Sequence, residues 1–332
     1  MRTFACLALL ALLATAATAV PVDPIGDMVD HINSLKTTWV AERPTRFGSF
    51  DEVARLCGAL ETPEDQRLPL KVAPIAEAIP DTFDSRTNWP ACPTIKEVRD
   101  QSACGSCWAF GAVESMSDRI CIASNATKIV RLSASDLLSC CTSCGDGCDG
   151  GQLGPSWDYY KNKGIVTGYL YNTTGYCKPY DFPACAHHEA SPDYPDCPST
   201  DYSTPKCTKS CVAGYTANTY TADLHYGQSS YSVGRTDAAI QTEILNHGPV
   251  EAAFTVYSDF PTYRSGVYKH TSGSVLGGHA ISIVGWGTES GSPYWLVKNS
   301  WNPSWGDGGF FKILRGDCGI NNDVVGGLPK LA

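Results

Sequence analysis

Apolar and polar positions divide the chain into regions of different texture. Arg2 precedes an apolar run from Phe4 through Leu13, which closes on the small residues Ala17, Thr18 and Ala19. This layout predicts a secretory signal peptide over residues 1–19. Beyond it, Met28, Ile32, Leu35 and Trp39 recur at helical spacing, and Phe50, Val53 and Leu56 give a second, shorter helix one apolar face. Ser49 with Glu52 fits a capping box at the start of that second helix. A proline-dotted stretch from Pro63 to Pro80 reads as extended chain, suited to lying along a cleft or to linking two parts. From Ile79 onward Gly, Tyr, Trp and Cys become frequent. Phe110, Val113, Ser117 and Ile120 mark one face of a helix that starts at Cys107. Near the C-terminus, HAISIVGWG, PYWLVKNSW and GFFKILRG are β-branched and aromatic runs bounded by Gly, Pro and Asn, which predict antiparallel strands. The pattern is that of an α+β chain, with a helical first lobe and a β-rich second lobe.

Composition narrows the class. The chain has 332 residues, 16 cysteines, a net charge of −9 and a pI near 5.2. An acidic balance argues against nucleic-acid binding and suits an acidic vesicle or the extracellular space. After the first segment no apolar run approaches the roughly 20 residues a membrane-spanning helix requires. Export permits disulfides. Cys6 leaves with the signal peptide, and Cys57 lies in the helical and extended region before Pro80. Asn125 with Thr127 and Asn172 with Thr174 are glycan-acceptor sequons if they lie on exposed loops.

The candidate chemistry centres on DQSACGSCWAF, Asp100 to Phe110. A thiol becomes a strong nucleophile once deprotonated, and a helix N-terminus with a neighbouring imidazolium lowers its pKa. Cys107 has the helix start locally. The imidazole must come from elsewhere, and His279 in GGHAISIVGWG is the candidate, held by a strand behind two glycines. Asn299 in KNSWNPSWG lies at the end of the next strand, where it can orient the ring, and Trp301 can shield that bond from water.

QSACGSCWAF, GGHAI and NSWNPSWGDGGFF together resemble the papain family of cysteine peptidases, over nearly everything from Ile79 to Gly327. The resemblance implies a two-lobe fold, with a helical left lobe, an antiparallel β-barrel-like right lobe and the active-site cleft between them. It makes Cys107 the nucleophile, His279 its base and later acid, and Asn299 the residue that orients the histidine. Gln101 joins the Cys107 backbone N–H in the oxyanion hole. Residues 20–79 become an inhibitory propeptide running through the cleft in the non-productive direction, and residues 80–332 the mature peptidase.

The separation of Cys107 from His279 exceeds the roughly 130 to 150 residues usual for the papain type. The extra length is placed in the cysteine-bracketed stretch carrying His187 and His188. That stretch, with CPTIKEVRDQ and CCTSCGDGCDGG, resembles the cathepsin B group, whose occluding loop, about 185–197 here, blocks the primed end of the cleft. Paired histidines there can bind a substrate's terminal carboxylate at acidic pH, so that dipeptides leave from C-termini. Gly150 and Gly151 would let an extended substrate pair as an added strand. The resemblance pairs Cys104 with Cys148, Cys92 with Cys121, Cys140 with Cys207, Cys141 with Cys144, Cys177 with Cys211 and Cys185 with Cys197, and it leaves Cys107 and Cys318 as thiols. It implies peptide and protein substrates, cystatin-type inhibitors, a monomer and no cofactor.

Three departures from the group carry expectations of their own. Asn321 in CGINND stands where the S2 pocket is expected to hold a glutamate, which predicts hydrophobic residues at P2 and poor cleavage after paired arginines. Asp100 survives opposite His187, but Ser304 replaces the aspartate of a second loop-closing ion pair, and residues 186–197 contain no arginine. Exposed pairs contribute only about 0–1 kcal/mol each, so the expectation is a looser loop and a larger endopeptidase share. Asp149 stands where asparagine is usual. Two other readings stay open at this point: a non-catalytic binding protein on the same fold, and a metal-binding module built on CCTSCGDGC with His187 and His188.

Overall fold

A computed structural model describes residues 24–43, 49–71, 74–187 and 190–331. The apolar run at the N-terminus and His188 lie outside the described residues. In chain order the helices are α1 (Pro24–Ser34), α2 (Phe50–Leu56), α3 (Ser85–Asn88), α4 (Cys107–Ala123), α5 (Ala134–Cys140), α6 (Leu153–Asn162) and α7 (Asp237–His247). The strands are β1 (Trp39–Ala41), β2 (Phe83–Asp84), β3 (Tyr231–Ser232), β4 (Val250–Tyr257), β5 (Tyr263–Tyr268), β6 (Val275–Glu289), β7 (Ser292–Lys298), β8 (Phe310–Leu314) and β9 (Asp323–Gly326).

Two hydrophobic cores account for the two lobes. One gathers Trp108, Phe110, Val113, Leu137, Leu153 and Trp157 around α4, α5 and α6. The other packs Val256, Phe260, Ile281, Trp295, Trp301 and Phe311 on the sheet. Helix α4 is buried on every side from Cys107 through Cys121 and lies against β6, so it forms the seam between the lobes. Lys298 fastens that seam. Its Nζ is buried 3.0 Å from Asp118 Oδ2 and 3.6 Å from Glu114 Oε2, tying the end of β7 to the middle of α4.

The sheet runs β1-β5-β8-β7-β6-β4-β9-β3, with β2 against β6. Its neighbours are antiparallel except β5 with β8. The path has two ends, so this lobe is an open, antiparallel-dominated sheet and not a closed barrel. One end is supplied by the N-terminal segment: Trp39 pairs with Gly266 in β1–β5, and its indole packs edge-on against Tyr268 and donates from Nε1 to Thr271 Oγ1.

Trp39 therefore does not continue the helical repeat of Met28 and Ile32. Helix α1 ends at Ser34, Leu35 is 51% exposed, and the chain turns into a strand because Trp39 gains more from an aromatic pocket than from the helix face. Helix α2 begins where its cap predicts, with Ser49 Oγ accepting from the Glu52 backbone N–H and with Val53 and Leu56 buried.

All six disulfides have the pairing the resemblance implies. Cys57, Cys107 and Cys318 are free thiols among the described residues. Cys140, Cys141, Cys144 and Cys148 are all consumed in these bonds, so CCTSCGDGC offers no thiolate to a metal. The same holds for Cys185 and Cys197, which lie beside His187.

Candidate active site

Cys107 is the first residue of α4, where unpaired backbone N–H groups gather, and β6 brings His279 across the seam. Asn299 follows the last residue of β7. Its Oδ1 lies 2.8 Å from His279 Nε2. An amide oxygen only accepts, so Nε2 carries the proton and Nδ1 is left as the basic nitrogen. Trp301 is fully buried with its ring 5.0 Å from the imidazole, and Phe254 closes the other side edge-on at 5.9 Å. The Ala280, Gly58 and Trp108 backbone N–H groups all favour a thiolate at Cys107. Ala280 directly follows His279, so the sulfur sits against the strand that carries the imidazole.

Gln101 is held by partners that the sequence does not announce. Its backbone N–H donates to the Ser300 carbonyl, and the Ser300 hydroxyl donates to its Oε1 at 2.8 Å. The Tyr180 hydroxyl donates to its carbonyl at 2.8 Å and lies 2.9 Å from Ser106 Oγ. With Oε1 engaged, Nε2 must face the cleft. There it donates to the Cys104 carbonyl at 2.8 Å and to the Leu56 carbonyl at 3.0 Å.

Residues 56–60 thus occupy the cleft. The Gly58 carbonyl accepts from Gly151 N–H, Leu60 N–H donates to the Gly151 carbonyl, and Ala59 N–H donates to the Gly278 carbonyl, all within 3.0 Å. The chain runs parallel to both walls. Gly150 and Gly151 line one wall, against Gly58 and Leu60. A side chain at Gly151 would strike the Trp108 indole at 2.6 Å. Gly58 itself passes so close that an added Cβ would lie 1.7 Å from the Gly105 carbonyl oxygen.

Burial sets the protonation of the pair while this segment lies over it. It pushes the Cys107 thiol up to about 12, over the opposing backbone N–H groups. Burial also pulls His279 down to about 4, although Asn299 and the Leu56 carbonyl both favour the charged ring. Between those values both groups are neutral and the thiol is a poor nucleophile. Exposure to water moves each value back in the direction of an ion pair. The expected outcome is that iodoacetamide alkylates Cys107 slowly at neutral pH while residues 56–60 are in place, and at least about a hundredfold faster once they are removed. Equal rates would mean that the segment does not control the thiol.

The loop of residues 185–197 is pinned at its base. His187 Nε2 lies 2.8 Å from Asp100 Oδ1, and both side chains are buried. Asn302 Nδ2 donates to Asp100 Oδ2 at 2.8 Å and to the Cys185 carbonyl at 2.7 Å. The first latch is therefore an interior hydrogen-bonded group, not the exposed pair that the sequence suggested. At the position of the second, Ser304 Oγ donates back to Asn302 Oδ1. The N-terminal segment touches this loop region too, with Arg55 Nε 2.8 Å from Asp201 Oδ1.

Asn321 does not line the cleft. Its Oδ1 accepts from Trp295 Nε1 at 2.9 Å and its Nδ2 donates to Asp237 Oδ1 at 2.7 Å, so the amide is spent between β7 and α7. A pocket of about 610 Å³ beside Ala59 and Leu60 is instead lined by Ala253, Phe254, Gly278 and Asp323. Asp323 pairs with Ala253 across β4 and β9, which turns its carboxylate to the same face. Burial raises its pKa, and the positive charges of Arg67 and Arg235 act against that rise. The expectation attached to Asn321 is corrected accordingly: the acid of this pocket is present, two residues further on.

Comparison with known proteins agrees with this geometry. Residues 79–328 match the model of the papain family cysteine proteases, and residues 26–63 match that of the peptidase family C1 propeptide. The chain belongs to the papain family of cysteine proteases. It is 50% identical over 314 residues to cathepsin B-like cysteine proteinase 6 of Caenorhabditis elegans, covering 92% of this chain and 83% of that protein. It is also 50% identical over 301 residues to a cathepsin B-like cysteine proteinase of Schistosoma japonicum, covering 88% and 86%. Among solved structures, procathepsin B S9 of Trypanosoma congolense superposes with a TM-score of 0.79 at 36% identity, covering 92% of this chain and 98% of that one. This papain-family chain is thus a cathepsin B-like cysteine peptidase carrying its own propeptide. Among the described residues no helix is long and apolar enough to cross a membrane.

Proposed function

We propose that the mature enzyme, residues 80–332 after loss of the signal peptide and of propeptide residues 20–79, hydrolyses peptide bonds through a Cys107 thioester. The observation that carries this reading is the Leu56 carbonyl, which accepts from Gln101 Nε2 while Gly58 N–H meets the sulfur. A peptide carbonyl already sits where a substrate's oxyanion would form. With the propeptide gone, His279 takes the thiol proton and the thiolate attacks the scissile carbonyl. Gln101 Nε2 and the Cys107 N–H hold the oxyanion, and His279 returns the proton to the leaving amine. Water then attacks the acyl-enzyme, with His279 again as base. Asn299 keeps the imidazole in the useful tautomer, so Asn299→Ala should lower kcat about tenfold or more with little change in KM. A fall in KM-dependent binding alone would assign Asn299 a different role.

The loop at 185–197 supports removal of C-terminal dipeptides beside internal cleavage, in an acidic secretory or lysosome-like compartment or outside the cell. His187 holds the loop base and His188 is the candidate for the substrate carboxylate. The missing second latch favours a larger endopeptidase share than two latches would allow. A buried hydrogen bond of the His187 kind is worth about 1–3 kcal/mol when broken. His187→Ala should therefore shift the ratio of internal to dipeptide cleavage upward by roughly tenfold, read by product analysis. An unchanged ratio would remove the loop from the account.

Asp323 gives the S2 pocket a negative group for arginine at P2. Asp323→Asn is expected to lower kcat/KM for an Arg-Arg substrate about tenfold relative to Phe-Arg. Equal loss on both substrates would mean that Asp323 serves the fold and not selectivity. Asn125 and Asn172 are both exposed, consistent with glycan attachment, and cystatin-type inhibitors and a monomeric state complete the proposal.

A further inference from the structure

Residues 64–78 fall between the two matched ranges, yet part of this linker is docked on the sheet. Ser232 N–H donates to the Pro69 carbonyl at 3.0 Å, and Lys71 N–H donates to the Ser232 carbonyl at 2.9 Å. The linker so adds a parallel rung to β3, the end strand of the sheet. Leu70 faces solvent at 60% exposure while Lys71 turns inward. Its Nζ lies 3.0 Å from Glu243 Oε2 and 3.1 Å from the Tyr231 hydroxyl, and stands 4.3 Å from the centre of the Tyr231 ring.

The receiving side is built into the peptidase. Glu243 and Tyr231 are 5% and 7% exposed. The Tyr231 hydroxyl donates to Glu243 Oε1 at 2.7 Å, and buried Arg119 donates to the same oxygen at 2.9 Å. Oε2 is the carboxylate oxygen turned to the linker. Burial would raise the Glu243 pKa, but Arg119 foremost, then Tyr231, His247 and Lys71, bring it down to about 2, so the carboxylate keeps its charge in acid. Arg119 supplies countercharge from inside, and the outward oxygen with the aromatic face forms a seat for a second cation.

We propose that Glu243, Tyr231 and the open edge of β3 form a lysine-accepting docking site, filled by Lys71 in the zymogen and opened by maturation to extended, lysine-bearing segments of polypeptide substrate. The site uses main-chain pairing for affinity and the ammonium seat for selectivity, in the manner of strand addition. It rests on the maturation reading above, that residues 20–79 are cut away.

The test uses enzyme matured from the full chain, its N-terminus identified by mass and its activity measured on a short generic substrate, which examines the maturation reading separately. The cleft is then blocked by a covalent peptidyl epoxide. A fluorescent peptide of residues 69–76, which avoids the cleft pocket, is titrated by anisotropy. The expected result is saturable binding that weakens by roughly tenfold or more when norleucine replaces the lysine, because the uncharged side chain loses charge-assisted bonds. Tyr231→Phe enzyme should bind the lysine peptide more weakly while keeping its activity on the generic substrate. The peptide substitution leaves the protein untouched, so a folding defect cannot imitate the result. Equal binding of the two peptides, or no binding to correctly trimmed and active enzyme, would overturn the proposal.

Discussion

Gly58→Val is expected to yield a zymogen that cleaves small substrates before any processing. An added Cβ meets the Gly105 carbonyl oxygen at 1.7 Å and the Gly105 carbonyl carbon at 2.5 Å, and both belong to backbone immediately before the catalytic helix. Those atoms cannot give way, because Gly105 is itself crowded by the Cys148 carbonyl and bonds to it through its N–H. The propeptide must lift instead. Lifting residues 56–60 frees Gln101 Nε2, exposes Cys107 and undoes the burial that keeps thiol and imidazole neutral. Overpacking of this kind costs about 1–3 kcal/mol or more. The unprocessed variant should accordingly show at least about tenfold more activity than unprocessed wild type, with the matured forms of both alike. A variant zymogen as silent as wild type would mean that inhibition does not depend on this passage.

The largest loss should come from the pair itself. In the proposed mechanism, Cys107→Ala removes the atom that forms the thioester, and His279→Ala removes the group that makes it a thiolate and protonates the leaving amine. Each should lower kcat by about 10⁴-fold or more, and the double replacement should cost little beyond either single one, because the two act as a unit. Fold is not the confounder, provided the variants keep their disulfides and unfolding temperature. Additive losses would indicate that the two residues serve separate steps.

Much of this site could be read before any coordinates, for a physical reason. Cys107, His279, Asn299 and Gln101 each sit at a punctuation point of the chain, a helix start, a strand or a turn, where glycines and aromatic residues leave a local signal. The disulfides followed from the same resemblance. Side-chain direction did not. Asn321 and Asp323 lie two residues apart, Asn321 inside the turn that the Asn322 N–H closes on the Gly319 carbonyl and Asp323 at the start of β9, and spacing alone could not tell which one faces the cleft. Trp39 fitted a helical repeat and entered a strand because its partners, Tyr268 and Thr271, lie more than two hundred residues away in the chain. The His187–Asp100 contact was legible as a pair but not as a buried one, since burial depends on Asn302 and Cys185 closing around it. Tyr180, which helps to hold Gln101, lies in none of the motifs, and Ser300, although inside NSWNPSWGDGGFF, gives no sign in the sequence of its bond to Gln101.

In the function proposed here, Cys107 drives peptide hydrolysis behind a loop that selects chain ends. Matured enzyme is incubated with a free-ended decapeptide at mildly acidic pH, and the products are read by mass spectrometry against a Cys107→Ser control. Stepwise loss of C-terminal dipeptides together with some internal fragments is expected, with an intact peptide in the control. Internal fragments alone would contradict the role given to the loop, and an intact peptide with both proteins would contradict the enzyme.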